Sequence, residues 1–212
     1  MQKEDADSSV LLLSGGIDSA CLAAWLRPNH TLFIDYGQRP AVAERRAARA
    51  VASELQIPFS ELRIDMSAVG AGLLSGERPL EGAPSPEWWP FRNQLLVSMA
   101  AAWAVGSRTP SLQEGKPIKI MTGTVASDGV RHADGTEMFY AALNALLLTQ
   151  EGNVGVQAPA ITLTTGNLVN RSAIRDEVLA WTHSCHRADL PCQECPGCYK
   201  RQQVLTKLGR LA

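Results

Sequence analysis

The sequence is poor in most features that assign a chain to a special class. Twenty Lys and Arg residues face 21 Asp and Glu, giving a formal net charge of −1. No global basic field argues for nucleic acid, so none is expected as a partner. No apolar run approaches membrane-spanning length, and no secretory leader is visible ahead of the first apolar segment. Internal repeats and low-complexity tracts are absent. Only five cysteines occur among the 212 residues. The expected compartment is the cytoplasm, where thiols stay reduced, so these cysteines read as ligands or core rather than disulfides. What is present is ample apolar content, 45%, enough for a sizeable core.

The most informative stretch is Ser14-Gly15-Gly16-Ile17-Asp18-Ser19, between the apolar run Val10–Leu13 and the helix-like Ala20–Leu26. It reads as strand, glycine turn, helix. Gly15 and Gly16 permit a close backbone approach that a Cβ would block. The helix start directs unpaired N–H groups and partial positive charge into the turn, which makes a phosphate cradle. Ser14 and Ser19 add hydroxyls. Asp18 would repel a bare anion, so it reads as a helix cap or as a group acting through Mg²⁺. A plain strand–turn–helix joint explains the glycines alone, but not the whole string. There is no Gly-Lys-Ser/Thr and no Gly-x-Gly-x-x-Gly. The hexapeptide resembles the Ser-Gly-Gly-x-Asp-Ser loop of PP-loop ATP pyrophosphatases, which cleave ATP between the α- and β-phosphates.

Alternation continues along the chain. Thr31–Asp35 reads as a second strand, Ala41–Leu55 as a helix buried along Ala47, Ala50, Val51 and Leu55, and Phe59–Met66 as a third strand. This pattern predicts an α/β fold, a parallel sheet flanked by helices with ligands beyond the strands' carboxyl ends. Asp35 would sit at such an end, or simply form a turn. Ser67–Pro90 reads as a long loop in which Trp88 and Trp89 either stack on a ligand or pin the loop to the core. Arg92-Asn93 opens a helix to about Val105, with Asn93 as its cap and Leu95, Leu96, Met99 and Trp103 buried. Gly106–Lys116 reads as loop. Ile118–Met121 is a fourth strand, followed by a polar cluster containing Gly123 and Asp128. Asp134 reads as a cap for Met138–Leu148.

Cys185, Cys192, Cys195 and Cys198 fall within 14 residues as Cys-x₆-Cys-x₂-Cys-x₂-Cys. Four thiolates fill a tetrahedron and leave no open position, so a structural Zn²⁺ is preferred to an iron–sulfur cluster. His183 and His186 are near enough to compete as ligands. Cys21 reads as buried core. The expected division is a PP-loop domain over residues 1–180 and a zinc-binding segment over 181–212.

Loop and cysteines together resemble the 7-cyano-7-deazaguanine synthase family. Asp35-Tyr36-Gly37-Gln38-Arg39, Arg92-Asn93, Gly123, Asp128, Pro159, Ile161, Leu163, Thr164 and Ser184-Cys185 match its motifs. So does Cys192-Gln193-Glu194-Cys195-Pro196-Gly197-Cys198. The resemblance implies a PP-loop (adenine nucleotide alpha hydrolase-like) fold, ATP and 7-carboxy-7-deazaguanine as substrates, and Mg²⁺ beside the structural zinc. It implies catalytic roles for Ser14, Asp18, Ser19 and Asp128. Nucleotide binding falls to Ser14–Ser19 (Ile17 included), Asp35, Tyr36, Gln38 and Gly123, and substrate binding to Arg92, Asn93, Asp128 and Asp134. A homodimer is compatible with this reading.

The chain also departs from the family. Its Tyr-Pro-Asp-Cys-Arg-Pro-Glu-Phe keeps Asp134 and Phe139 but carries Thr136 and Met138 at the Arg and Glu positions. Its Leu-Thr-Lys becomes Leu163-Thr164-Thr165. Arg92 follows Phe91 where the family has Gly. Loss of charged groups favours an altered second substrate, with the acyl group passed to a protein amine, as in members encoded with antiviral systems. The alternatives are an ordinary nitrile-forming synthase of the queuosine pathway and a non-catalytic nucleotide-binding partner. Intact Ser14, Asp18 and Ser19 speak against the latter.

Overall fold

The computed structural model describes residues 8–107, 112 and 116–210. The stretch read as loop at Gly106–Lys116 lies mostly outside them. Five strands alternate with helices: β1 Ser8–Leu12, α1 Ile17–Leu26, β2 His30–Asp35, α2 Ala41–Glu54 and β3 Phe59–Arg63. Then come α3 Gly72–Ser75, α4 Arg92–Gly106, β4 Ile118–Met121, α5 Ala126–Arg131 and α6 Glu137–Leu147. The chain continues through β5 Val154–Gln157, α7 Thr165–Ser172, α8 Asp176–Ala180 and α9 Pro196–Lys207. The strands form one sheet in the order β3-β2-β1-β4-β5, every pairing parallel.

Alternation along each strand divides the core in two. Leu11, Leu13, Phe33 and Met121 face α1, α2, α7 and α8, while Val10, Leu32, Ile34 and Ile120 face α4 and α6. Burial on both faces is why the strands read as continuous apolar runs. β1 and β4 are neighbours whose connections leave toward opposite edges of the sheet. A crevice opens beyond their carboxyl ends, at the point where strand order reverses.

Several local expectations give way to packing. β3 ends at Arg63, although the N–H groups of Ile64 and Met66 still donate to the Asp35 and Tyr36 carbonyls. On α2 the buried face is Ala43, Ala47, Ala48, Val51 and Ala52, so Ala50 is at its border. On α4 the fully buried residues are Val97, Ala100, Ala101 and Ala104. Leu95, Leu96, Met99 and Trp103 pack half-buried beside them, because small residues let the helix approach the sheet closely. Asn93 is not its cap: the first carbonyl of the helix belongs to Phe91, which takes the N–H of Leu95 at 3.0 Å. Asp134 does not cap α6 either, since Thr136 Oγ1 accepts from the Phe139 N–H. Trp89 pins the Ser67–Pro90 segment: it is 1% exposed and meets Tyr36 edge-on at 5.1 Å.

Candidate active site

The turn after β1 is held from three sides. Gly15 has φ +80°, and a Cβ there would lie 2.7 Å from the Glu44 carbonyl and 2.8 Å from the Ala48 nitrogen. The turn therefore lies directly on α2, and only glycine fits. The Gly15 carbonyl accepts the His183 N–H at 2.9 Å, and the Ile17 N–H donates to Ser184 Oγ at 3.4 Å. Ser14 Oγ is 3.1 Å from Ser19 Oγ, which donates to the Gly16 carbonyl. Gly16 is the N-cap of α1 and makes no side-chain cap bond, so Asp18 is not the cap. It sits in the first turn, where the helix dipole favours an anion.

Gly123 brings the end of β4 against this helix start. A Cβ there would meet the Ser19 nitrogen at 3.0 Å. Asp128 Oδ2 accepts the Val125 N–H at 3.0 Å, which holds the loop before α5. Thr122 Oγ1 donates to the Tyr140 hydroxyl at 2.9 Å, and that hydroxyl is 2.6 Å from Thr124 Oγ1.

The cleft between these loops has a volume of about 350 Å³. Ser14, Gly16, Ile17, Asp18, Ser19, Tyr36, Gln38, Arg92, Asn93, Gly123, Asp128 and Asp134 line it, so most sequence-predicted site residues do converge. Two do not. Gly15 stands behind the turn, and Asp35 serves as a turn former whose Oδ1 accepts the Gly37 N–H at 3.1 Å. Gln38 lines the cleft, but its amide is spent on its own turn. Oε1 takes the Tyr36 N–H, and Nε2 donates to the Ile34 carbonyl and Glu44 Oε2.

Burial pushes the Glu44 carboxyl up to about 7, and the Gln38 hydrogen bond only partly offsets it. A carboxyl whose folded pKa exceeds its unfolded value near 4.5 binds more protons in the folded chain between the two. Stability therefore falls as pH rises from about 4.5 to about 7. Glu44→Gln should flatten that slope in urea melts taken across the window. A slope as steep as wild type would assign the pH dependence to other groups.

Among the lining residues that the fold recruits and the sequence did not mark as part of the site are Lys200, Arg131, Glu87 and His186. Lys200 Nζ lies 2.9 Å from Asp18 Oδ2 and 3.6 Å from Asp128 Oδ1, while Arg131 pairs with Glu87 at 3.2 Å. Burial works to raise the Asp18 carboxyl, and Lys200 opposes it. Burial also works against the charge of Lys200, but the two carboxylates outweigh it and hold its pKa above the usual value. The only advance signal for Lys200 was a basic residue two positions after the last clustered cysteine. The positions read as lost pocket charges fare differently. Met138 is 80% exposed on α6, Thr136 caps that helix, and Thr165 is buried beside Asp18.

The four clustered cysteines meet. Their Sγ atoms all lie within 4.8 Å of one another, with Cys192 and Cys198 4.0 Å apart. A tetrahedral Zn–S site of about 2.3 Å bonds has an S–S edge of about 3.8 Å. Backbone N–H groups of His186, Arg187, Cys195 and Cys198 point at the sulfurs, which suits thiolates. The group can hold a metal ion. Neither nearby histidine joins it: His183 Nε2 is 3.0 Å from the Ala188 carbonyl, and His186 turns to the cleft. Cys21 is fully buried core. No helix among the described residues is long and apolar enough to cross a membrane.

Comparison with known proteins agrees with this geometry. The family model described as "Queuosine biosynthesis protein QueC" matches residues 8–209. The 7-cyano-7-deazaguanine synthase of Stutzerimonas stutzeri (strain A1501) is 30% identical over 95% of this chain and 94% of its own. That of Methylococcus capsulatus (strain ATCC 33009 / NCIMB 11132 / Bath) is 31% identical over 95% of each. The synthase of Koribacter versatilis (strain Ellin345) is 29% identical over 99% of this chain and 93% of its own. A five-stranded parallel sheet, a Ser14–Ser19 loop at its switch point and four converged cysteines are therefore the features of a chain that belongs to the QueC family.

Proposed function

We propose that this chain is an ATP-dependent carbon–nitrogen ligase that converts 7-carboxy-7-deazaguanine into 7-cyano-7-deazaguanine with ammonia. The observation that carries it is the convergence of the Ser14–Ser19 loop, Asp128 and Gly123 at one sheet crevice in a chain of this family. The relatives' names favour nitrile formation over transfer to a protein amine. The departures that favour an altered second substrate lose weight, because Met138 points to solvent and Thr136 is a helix cap.

In this reading a carboxylate oxygen of the acid bonds to the α-phosphorus, and the bond to the bridging oxygen breaks. Pyrophosphate leaves with the electron pair into the Ser14–Ser19 turn. There the start of α1 turns partial positive charge toward the leaving group, ordinarily a large catalytic contribution, at a turn whose Gly16 and Ile17 N–H groups hydrogen-bond Ser14 Oγ and Ser184 Oγ. Ammonia attacks the acyl carbon, AMP departs, and a proton is lost to leave the amide. The amide oxygen then takes a second adenylyl group in the same way. Loss of AMP and of the nitrogen's two protons gives the nitrile. Arg92, Asn93 and Asp134 line the part of the cleft assigned to the acid. Positioning against the α-phosphorus accounts for much of the remaining rate.

Asp18 Oδ1 is buried, and Asp128, whose Oδ1 lies 3.6 Å from Lys200 Nζ, lines the same cleft. This donor set fits Mg²⁺, which would neutralise phosphate charge when bound with ATP. Zn²⁺ in the cysteine site would be structural, held by Cys185, Cys192, Cys195 and Cys198 with no open position.

Mass spectrometry after incubation with the acid, ATP, Mg²⁺ and ammonia tests the reading. AMP, pyrophosphate and the nitrile are expected, with Asp18→Ala about 100-fold slower or worse and folded by circular dichroism. ADP and phosphate as products would reject it. AMP without nitrile, with an adduct on a protein amine, would restore the other acceptor.

A further inference from the structure

Lys200 lines the cleft but has no part in the reaction as proposed. Its helix, α9, begins at the metal-binding cysteines: Cys195 is the N-cap and its Sγ takes the Cys198 N–H. Two residues further on, Lys200 reaches 2.9 Å from Asp18 Oδ2 on α1 and 3.6 Å from Asp128 Oδ1 on α5. Its side chain is 31% exposed and lines the cleft, so it is neither sealed away nor a surface charge. One ammonium thus ties the first turn of α1 to the first turn of α5, the helices that follow the two strand ends flanking the crevice.

Thr165, at the start of α7, lies on the same carboxylate from another direction. It is 4% exposed, and its hydroxyl is close enough to Asp18 to work against the effect of burial on that carboxyl. Asp18 Oδ1 is itself buried. A buried carboxylate next to a phosphate cradle needs positive charge near it, and Thr165 cannot provide any. Lys200 does, from a helix remote in sequence.

The geometry points to Lys200 as the cation that neutralises the pyrophosphate leaving group, delivered to the cleft by the metal-anchored helix in place of a charge at position 165. This rests on the ATP-cleaving reading. When the acid's oxygen bonds to the α-phosphorus and the bond to the bridging oxygen breaks, the electron pair leaves on pyrophosphate. Lys200 stays protonated throughout, and no proton changes hands. Its value is charge placed in advance where charge develops. Because its helix starts at the metal site, the metal segment contributes to catalysis as well as to folding.

ATP–pyrophosphate exchange with 7-carboxy-7-deazaguanine, on the full-length zinc-loaded chain, tests this. Lys200→Met should lower kcat about 100-fold while zinc content is retained. The double variant Thr165→Lys, Lys200→Met should recover at least tenfold of that loss, since a lysine at 165 approaches the same carboxylate. A residue needed only for folding would not be rescued this way. If Lys200→Met exchanges at the wild-type rate, or if the folded double variant recovers nothing, the inference is overturned. Wild-type chain with no exchange at all would overturn the proposed function, and this inference with it.

Discussion

Gly15→Ala is expected to lose ATP–pyrophosphate exchange by at least about 100-fold and to be several kcal/mol less stable. Two costs combine. Alanine at φ +80° sits in the left-handed region, at roughly 1–2 kcal/mol. Its Cβ would also be 2.7 Å from the Glu44 carbonyl and 2.8 Å from Ala47 Cβ and the Ala48 nitrogen. Those atoms belong to the body of α2, which cannot yield as a flexible side chain would. Overpacking of this kind costs roughly 1–3 kcal/mol. Relief requires the turn to lift off α2, which would also break the His183 N–H bond to the Gly15 carbonyl and reorient the N–H groups before α1. Urea denaturation and the exchange assay check both effects. Wild-type exchange in Gly15→Ala would mean that the backbone of this turn does not form the phosphate cradle.

Cys195→Ser should have the second large effect. Cys195 Sγ is the centre of the cluster: the residue is fully buried and its sulfur accepts the N–H groups of His186 and Cys198. A serine hydroxyl stays protonated at neutral pH and is shorter, so the fourth ligand is lost. Closed zinc sites contribute folding free energy directly, with apparent values of about 10–16 kcal/mol in small peptides. Metal analysis should find about one zinc per wild-type chain and far less in the variant. Melting should begin in the C-terminal segment. Exchange should fall too, because Ser184 and Lys200 reach the Ser14–Ser19 loop and Asp18 from this segment. Unchanged melting would remove the metal from the folding argument, and iron with visible charge-transfer absorption would replace zinc with an iron–sulfur cluster.

The features that the sequence determined by itself are local in the chain. The Ser14–Ser19 turn needs only a strand before it, a helix after it and two glycines, all within a few residues. The cysteine cluster spans 14 residues, so its closure is a matter of short turns. The parallel sheet follows from apolar runs alternating with helical ones, since strands buried on both faces must be apolar throughout. Helix boundaries were less legible. Whether Phe91 or Asn93 caps α4, and whether Asp134 or Thr136 caps α6, depends on which carbonyl or hydroxyl the folded backbone presents. Ala50 and Ala48 differ by half a turn of α2, and only the sheet beneath decides which is covered.

What only the tertiary structure decided is the charge inventory of the cleft. Asp18 and Lys200 are 182 positions apart, and no periodicity or motif couples residues at that distance. They meet because the cysteine-bearing C-terminal segment folds back over the end of β1, where the His183 N–H donates to the Gly15 carbonyl. The same folding removed Met138 and Asp35 from the cleft and left Thr165 buried beside Asp18. A lost lysine read along the chain looks like a lost charge. In space a lysine from another helix reaches the same carboxylate, because electrostatics depends on distance between atoms and not on position in sequence.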